Sequence, residues 1–526
     1  MLQRLGRFLA AIFWPFAIYA FVLVLDPLGL YSATYTASRD LAFRVLSLFR
    51  DEEAARAVSL ILLDDHSADE INGELGYPIT FRNHAEIVQS VLCRGPGSLF
   101  IDFTFRNVRT RNPADVVQRG ERTISADLDQ LASDLRTRPT ATSAACPPLT
   151  LDHGRRTAAA PRVYIARTRS VAADGCDALF ENLDGKPLPE RCKASRQIAV
   201  LGESAIALTI ARNTDANVYA VAVKPSETFA HPPADADQRL PIEPSPALAA
   251  VLAYCRALPA ETATRFKGCR DIARLEELVE ADGPDVNRRL VPLWSYFHAA
   301  SVEGPLPAAC RPEQDRATSK AMLIAMETAH TLVRGVLDPS FSRFGGGLCI
   351  PYETATVSDY LGRLSNCGAL PIADCRKAQA QLVAGRMVFY GASVTAVHDE
   401  ITSPVVGNVP GVAVHAAVAT NLLEFGADYV REPPVAVWTY TWSQIVELAL
   451  VFVWLMSVAL IGRVASQQTL HRWWPRLLVG TFGVVLALAA TWVMYQSWNW
   501  SPGNWLALCV ALATLVPYSS ENAETA

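Results

Sequence analysis

The sequence has 526 residues, of which 51% are hydrophobic and 19% are charged. This composition excludes a disordered chain, which needs low hydrophobicity and a high net charge. The formal net charge of -5 argues against nucleic acid as the main partner, because phosphate binding needs clustered Lys and Arg. The mean hydropathy of +0.17 indicates a large apolar core or apolar segments joined to a soluble body. The apolar segments lie near the two ends of the chain, which favours the second explanation.

The first apolar segment, Phe8–Leu25, follows Arg4 and Arg7 and contains no charged side chain. Roughly 17–25 apolar residues cross the hydrocarbon core of a membrane, so its length suits a span. A cleavable signal peptide is the alternative, but such peptides have shorter apolar cores and end in a small-residue cleavage site. We therefore predict a cytoplasmic N-terminus and a first transmembrane helix over residues 1–30.

Strand and helix patterns alternate through the long middle part of the chain, which favours an α/β layer fold. Predicted strands are Val58–Leu63, Ser98–Phe103, Arg162–Ala166, Tyr219–Val223 and Met387–Gly391. Predicted helices are Asn83–Leu92 and Val412–Phe425.

Cysteine usage indicates that this middle part, residues 31–434, lies outside the cytoplasm. It contains ten of the eleven cysteines, an even number of the kind that a disulfide framework requires. The ten are Cys93, Cys146, Cys176, Cys192, Cys255, Cys269, Cys310, Cys349, Cys367 and Cys375. Their pairing is open, although Cys255/Cys269 and Cys367/Cys375 are close enough in sequence to form local loops. A zinc site is disfavoured because there is no CxxC pair, and we predict no cofactor.

Three further apolar segments follow near the C-terminus. They predict transmembrane helices over 435–462, 477–496 and, shorter, 504–518, followed by a tail over 519–526. A re-entrant segment is the alternative for the shortest one. The connecting loop 463–476 is basic and contains Arg463, Arg472 and Arg476. The positive-inside rule places this loop and the N-terminus in the cytoplasm, and residues 31–434 on the other side of the membrane.

Glu447 is an ionisable residue inside the first of these three segments. Such a group is costly in hydrocarbon and is often functional. We expect it to be protonated and to form a hydrogen bond to a neighbouring helix; the candidate partners are Thr439, Thr441, Trp442, Ser443 and Thr491. A proton or ion path is the alternative, but a transporter needs several such groups and the predicted spans contain one.

Four blocks of the sequence resemble the signatures of the CHASE2 extracytoplasmic sensor domain: Val58–Asp65, Tyr77–Ala85, Ile101–Phe105 and Val388–His415. They contain an apolar strand with an acidic end, an aromatic-Pro segment before Arg and His-Ala, an Asp before a Phe, and a Gly-Val-x-x-His-Ala helix start. The second block departs from the family, because Tyr-Pro-Ile-Thr-Phe-Arg replaces Trp-Pro-Trp-Pro-Arg. The resemblance implies an α/β extracytoplasmic sensor domain, with a mixed sheet and flanking helices, joined here to four transmembrane α-helices.

Polar residues of these blocks are candidates for ligand binding: Asp64, Asp65, Arg82, His84, Asp102, Asp399 and His415. Asp64 and Asp102 end predicted strands, where open α/β sheets bind ligands. A salt bridge between Asp102 and Arg82 is the alternative for that pair, and hydrogen bonds within the fold are the alternative for His84 and His415. The sequence contains no hydrolase elbow, zinc-protease motif or phosphate-binding loop, so we predict that the chain is not an enzyme.

Only about ten residues follow Val516, too few for a folded cytoplasmic output domain. We therefore expect a multi-pass sensor or receptor subunit of the bacterial inner membrane with its large domain in the periplasm. It would detect a ligand or partner and signal through its membrane helices to a separate cytoplasmic effector docked on Arg463, Arg472 and Arg476. A homo-oligomer fits this interpretation. The alternative is a membrane scaffold or assembly component of a multi-protein defence or toxin system with no small-molecule ligand.

Overall fold

The structure is a computed structural model of the whole chain. It describes residues 2–26, 29–47, 50, 52–73, 76–103, 133, 162–167, 206–209, 218–223, 243–280, 289–294, 297–298, 348–349, 352–362, 380–395, 399–403, 407–437, 440–464 and 473–512. By their contacts, residues fall into two compact units. Met1–Leu46 and Val430–Ala526 form the terminal unit, and Ser47–Tyr429 form the central unit.

The helices and strands are numbered in chain order. The helices are α1 (Leu2–Leu25), α2 (Leu30–Ser47), α3 (Glu52–Arg56), α4 (Asp65–Asn72), α5 (Phe81–Leu92), α6 (Pro246–Ala257), α7 (Ala260–Ala263), α8 (Lys267–Arg270), α9 (Ile272–Glu280), α10 (Val357–Leu361), α11 (Gly411–Phe425), α12 (Trp442–Val464) and α13 (Trp473–Trp498). The strands are β1 (Val58–Asp64), β2 (Ser98–Asp102), β3 (Arg162–Arg167), β4 (Ile206–Thr209), β5 (Tyr219–Ala220), β6 (Ala222–Val223), β7 (Glu243–Pro244), β8 (Arg289–Leu290), β9 (Phe297–His298), β10 (Leu348–Cys349), β11 (Glu353–Thr356), β12 (Met387–Ser393), β13 (Glu400–Ser403), β14 (Gly407–Pro410), β15 (Val435–Val437) and β16 (Tyr440–Thr441).

The central unit is built on a six-stranded sheet with the order β11–β1–β12–β2–β3–β4. Every pairing in this sheet is parallel, so the predicted mixed sheet is wrong for the described strands. A parallel sheet is covered on both faces, which explains why β1 and β12 are nearly continuous apolar runs. The predicted strands at β1, β2, β3 and β12 are confirmed, and so are the helices that correspond to α5 and α11.

The fourth predicted strand, Tyr219–Val223, does not join the main sheet. The chain bends at Val221, whose carbonyl accepts a hydrogen bond from the Ser245 N–H, and the segment divides into β5 and β6. These strands form short antiparallel pairs with β8 and β7. The apolar pattern therefore predicted extended backbone correctly but not its partners.

The two faces of the main sheet pack against different helices. On one face, apolar side chains of β1, β2 and β12 form a core with those of α5, such as Val88 and Val91. On the other face lie α6 and α11. Gly391 permits the approach of α11 to β12, because a Cβ at this position would lie 2.6 Å from Cβ of Val412. Consequently α11 is buried from Gly411 to Leu423 and is an internal helix of the unit.

Among the described residues of the terminal unit, two helices are long and apolar enough to cross a membrane, judged by length and composition. These are the windows Trp442–Leu460 in α12 and Gly480–Trp498 in α13. The first predicted span forms α1, in which the apolar stretch Ile12–Leu25 is shorter. The fourth predicted span is helical over 505–512. Two of the four predicted spans thus have support, and the other two stay predictions.

The sequence analysis did not identify α2. Its residues were assigned to the large outer domain, whereas by their contacts residues 31–46 belong to the terminal unit. The helix is mostly built of small and polar residues, with no continuous apolar stripe that would predict it.

A disulfide joins Cys255 and Cys269, which confirms one of the two suggested local pairs. It connects α6 to α8. Cys93 is also disulfide-bonded. Of the remaining predicted cysteines, Cys349 lies in β10 and its side chain is not described. The others lie outside the described residues: Cys146, Cys176, Cys192, Cys310, Cys367 and Cys375.

Candidate functional site

Asp102, at the carboxyl end of β2, faces His415 near the start of α11. Nε2 of His415 lies 3.8 Å from Oδ2 of Asp102, and the two side chains are 5% and 12% exposed. This distance is too long for a direct hydrogen bond. On the other side of the ring, Nδ1 of His415 is 2.6 Å from the hydroxyl oxygen of Tyr219. The three side chains therefore form a buried row of carboxyl, imidazole and phenol with a gap between the first two.

The hydrogen bond between His415 and Tyr219 suits either neutral tautomer of the imidazole, because the Tyr219 hydroxyl can donate to Nδ1 or accept from it. Burial lowers the pKa of His415 to about 3, so the ring is neutral at neutral pH. A neutral imidazole has one N–H. When the Tyr219 hydroxyl donates to Nδ1, that N–H is at Nε2, which faces Asp102.

The environment of Asp102 opposes its ionisation. Burial, and then the negative charge of Asp399, raise the pKa of Asp102 to about 7. The carboxyl group therefore exchanges a proton near neutral pH, while the imidazole beside it stays uncharged. Asp102 and His415 were both predicted as ligand-binding residues, and the structure brings their side chains together at the carboxyl end of β2.

Asp399 lies against the first residue of α11. The Gly411 N–H donates to the backbone carbonyl of Asp399 at 2.7 Å, and a Cβ on Gly411 would lie 2.5 Å from Oδ1 of Asp399. Only glycine permits this approach without displacement of the carboxylate. Gly411 and His415 are four residues apart and share a face of the helix, which brings Asp399 and Asp102 to the same side of α11. Partial burial also raises the pKa of Asp399.

Asp64 and Asp65 lie at the same carboxyl edge of the sheet and have hydrogen-bonding roles there. Oδ1 of Asp64 accepts from the Ser67 N–H at 2.9 Å and caps α4. Oδ2 of Asp65 accepts from the N–H and the hydroxyl of Thr395 at 3.2 and 2.6 Å. These bonds join the end of β1 to the turn after β12. A direct role in ligand binding stays a prediction for both residues.

Arg82 does not contact Asp102. Its side chain is 73% exposed and pairs with Glu86, one turn along α5, at 3.4 Å. The sequence-based alternative of an Asp102–Arg82 salt bridge is therefore wrong, because Arg82 is on the outer side of α5 while Asp102 is enclosed near His415.

His84 is buried on the opposite face of the sheet from His415. Its Nδ1 is 2.9 Å from the Tyr390 hydroxyl, and its ring packs on Phe103 with the ring centres 4.7 Å apart. Tyr390 precedes Gly391 in β12, and consecutive strand residues point to opposite faces. Burial lowers the pKa of His84 to about 3. The alternative that His84 forms hydrogen bonds within the fold is confirmed.

Tyr219 and Gly411 are two residues of the site that were not predicted from the sequence. Tyr219 precedes His415 by 196 positions, and no local pattern indicates that they meet. Gly411 is the first residue of the Gly-Val-x-x-His-Ala block, but its contact with Asp399 depends on the three-dimensional fold and leaves no mark on the sequence.

Two further sets of predicted residues can be placed. In the part of the chain that the structure describes, no group of three or more His, Cys, Asp or Glu side chains is arranged to hold a metal ion. Of the predicted docking residues, Arg463 lies in α12 and Arg476 in α13, without described side chains, and Arg472 lies outside the described residues.

A family model described as the CHASE2 domain matches residues 16–460, which is most of the chain. No curated protein and no solved structure matches the chain.

Proposed function

This chain belongs to the CHASE2 domain family, and we propose that it is a membrane sensor that binds its ligand at the carboxyl edge of the parallel sheet. CHASE2 domains are extracytoplasmic sensor domains, and two helices of the terminal unit are long and apolar enough to span a membrane. We place the protein in the bacterial inner membrane, with the central unit in the periplasm and the basic segment 463–476 in the cytoplasm.

The gap between Asp102 and His415 is the observation that carries this proposal. The Asp102 carboxyl, whose pKa is raised to about 7, and Nε2 of His415 face each other across 3.8 Å without a direct hydrogen bond. Buried polar groups are nearly always hydrogen-bonded, so a pair that stops short of contact suits a third polar group. We propose a small hydrogen-bonding ligand that contacts both side chains, with Asp399 at the edge of the same site.

Helix α11 supports a route for the response. His415 lies near its start, and Glu424 near its end pairs with the buried Arg50 at 2.5 Å. Arg50 also donates to Oδ1 of Asn421 at 3.1 Å and to the carbonyl of Leu293. A shift of α11 would therefore act on the residues next to both places where the chain enters and leaves the central unit. A ligand produces such a shift only if it binds one arrangement of α11 more tightly than the other.

The binding site is tested with the full chain in lipid nanodiscs. We expect equilibrium dialysis against the small-molecule fraction of spent growth medium, followed by mass spectrometry, to recover a compound bound to the wild type and to Glu277→Gln. Glu277 is an exposed acidic residue of α9 and serves as the charge control. Asp102→Asn should retain less than about a tenth of this binding, since a buried ligand group left without its carboxyl partner costs about 1–3 kcal/mol. Equal recovery with Asp102→Asn would contradict the proposed site.

The output is proposed to pass to a separate cytoplasmic effector that docks on segment 463–476. Pull-down with the full chain should recover such a protein, and reversal of Arg472 and Arg476 to Glu should abolish its recovery. Unchanged recovery with both charges reversed would reject this docking surface without bearing on the ligand site.

A further inference from the structure

A short segment of the terminal unit, residues 499–505, is hydrogen-bonded to the backbone that leaves the central unit. The N–H of Arg431 donates to the carbonyl of Asn499 at 2.7 Å. The N–H of Ser501 donates back to the carbonyl of Arg431 at 2.8 Å. The two segments thus form a local parallel bridge at Arg431 and Trp500.

The same segment is bonded to α2, the helix that leads into the central unit. Nδ2 of Asn504 donates to the carbonyl of Tyr31 at 3.0 Å and to Oγ1 of Thr34 at 2.8 Å. Its Oδ1 accepts from the Ser38 hydroxyl at 3.0 Å. Asn504 and Ser38 are both fully buried. The amide of Asn504 therefore uses its donors and its acceptor to join the segment to α2 over about two helical turns.

Glu447 of α12 completes the network. Its Oε1 accepts from the N–H of Asn504 at 2.8 Å, and its Oε2 accepts from the Tyr31 hydroxyl at 2.9 Å. Gly503 is packed so closely that a Cβ there would lie 2.6 Å from Oε1 of Glu447. The interhelical hydrogen bond predicted for Glu447 is confirmed, but its partners are Tyr31 and Asn504 rather than Thr441 or Thr491.

Through these hydrogen bonds, segment 499–505 contacts three elements: α2, the backbone at Arg431 and α12. α2 carries the chain into the central unit, the residues after Val430 carry it out, and α12 begins soon afterwards. Tyr31, Ser38, Glu447 and Asn504 are buried, so breaking a bond among them leaves a polar atom without water and carries the full cost of desolvation. The three elements are therefore expected to move together rather than one at a time.

We propose that segment 499–505 is where the terminal unit receives conformational changes of the central unit, with Asn504 and Glu447 as positioning residues. The inference rests on the proposed sensor function and adds a route to it. The direct connection between α11 and α12, through residues 426–434, is the simplest alternative route for such a change. The hydrogen bonds instead assign transmission to both connections of the central unit acting on one segment.

Hydrogen exchange of the full chain in lipid nanodiscs, read by mass spectrometry over residues 499–506, tests this proposal. The perturbation in the central unit is Glu424→Gln, which weakens the pair with Arg50, and Glu424→Asp replaces it if the first variant does not fold. The perturbation in the segment is Asn504→Ala, with Tyr31→Phe as its milder substitute. Ser457→Ala is the matched control, because that hydroxyl bonds to Val453 within α12.

In the wild type and in the Ser457→Ala protein, the change at Glu424 should speed exchange in 499–506 by about tenfold, the factor expected for one lost buried hydrogen bond. Asn504→Ala should speed the same amides on its own, and the change at Glu424 should then add nothing. Full additivity of the two changes would overturn the proposal, as would unaltered exchange after either change at Glu424. Neither result would affect ligand recovery by dialysis, so failure here is distinguishable from failure of the sensor site.

Discussion

Replacement of Asp102 by Asn should stabilise the central unit at high pH and not at low pH. The pKa of Asp102 is about 7 in the folded chain and about 3.9 in an unfolded one. A raised pKa means that the folded state holds the proton more tightly. The stability that this proton contributes is fully present below pH 4 and is lost as the pH rises through 7. Asparagine, which does not ionise, lacks this dependence.

The size of the effect follows from the two pKa values. Their difference of about three corresponds to about 4 kcal/mol over the whole range, and to about 2.5 kcal/mol between pH 5 and pH 8. The side chain is 12% exposed, so solvent screening reduces this figure little. His415 acts in the opposite direction, because its pKa is lowered to about 3 and its contribution is lost as the pH falls. His415 is present in both proteins, so its contribution cancels when the free energy of unfolding of Asp102→Asn is compared with that of the wild type.

Urea unfolding of the full chain in nanodiscs, followed through the fluorescence of the buried Trp294, measures this difference. The free energy of unfolding of Asp102→Asn relative to wild type should rise by about 2.5 kcal/mol from pH 5 to pH 8. Glu277→Gln, which removes an exposed charge, should show no such rise. An Asn variant that differs from wild type equally at both pH values would refute the assignment of a proton to Asp102.

Three other substitutions test contacts described above. Gly411→Ala places a methyl group 2.5 Å from a carboxylate oxygen at the site and should lower the free energy of unfolding by about 1–3 kcal/mol; an unchanged urea midpoint would contradict the packing. Joint replacement of Cys255 and Cys269 by Ser opens a loop with a sequence separation of 14 and should lower the free energy of unfolding by about 3 kcal/mol without reductant; an unchanged urea midpoint would contradict a stabilising role for this bond. Gly503→Ala places a methyl group 2.6 Å from the buried glutamate of α12 and should speed hydrogen exchange over 505–512, whereas unchanged exchange would argue against the contact.

The strands that form the centre of the sheet were predictable because their burial leaves a direct mark on the sequence. β1 and β12 are covered on both faces and therefore read as apolar runs. β11 was not predicted, since its residues Glu353–Thr356 are polar and partly exposed at the edge of the sheet. The position of Asp102 at a strand end followed from the same runs.

The partners of the site residues were not predictable, because they depend on contacts between distant parts of the chain. His415 could be placed at a helix start, but its bond to Tyr219 spans 196 positions. The exposure of Arg82 depends on which side of α5 faces the sheet. α5 does have an apolar face, so Arg82 could have been assigned to its outer side from helical spacing alone.

The hydrogen-bonded segment 499–505 was equally hidden. Asn504 bonds to residues more than 460 positions earlier, and α2 has no apolar stripe that would reveal a packed helix. Glu447 was recognisable because a single ionisable residue interrupts an apolar run. Its partners could be found only from the fold of the terminal unit.

The central claim is that a ligand held by Asp102 and His415 acts on α11. Its most direct test is hydrogen exchange at residues 411–415 of the full chain in nanodiscs, with and without the small-molecule fraction of spent growth medium. Slower exchange is expected at these amides in the wild type and in Glu277→Gln, and no response is expected in Asp102→Asn. An equal response in the Asp102→Asn protein, or none in the wild type despite a bound compound, would contradict it.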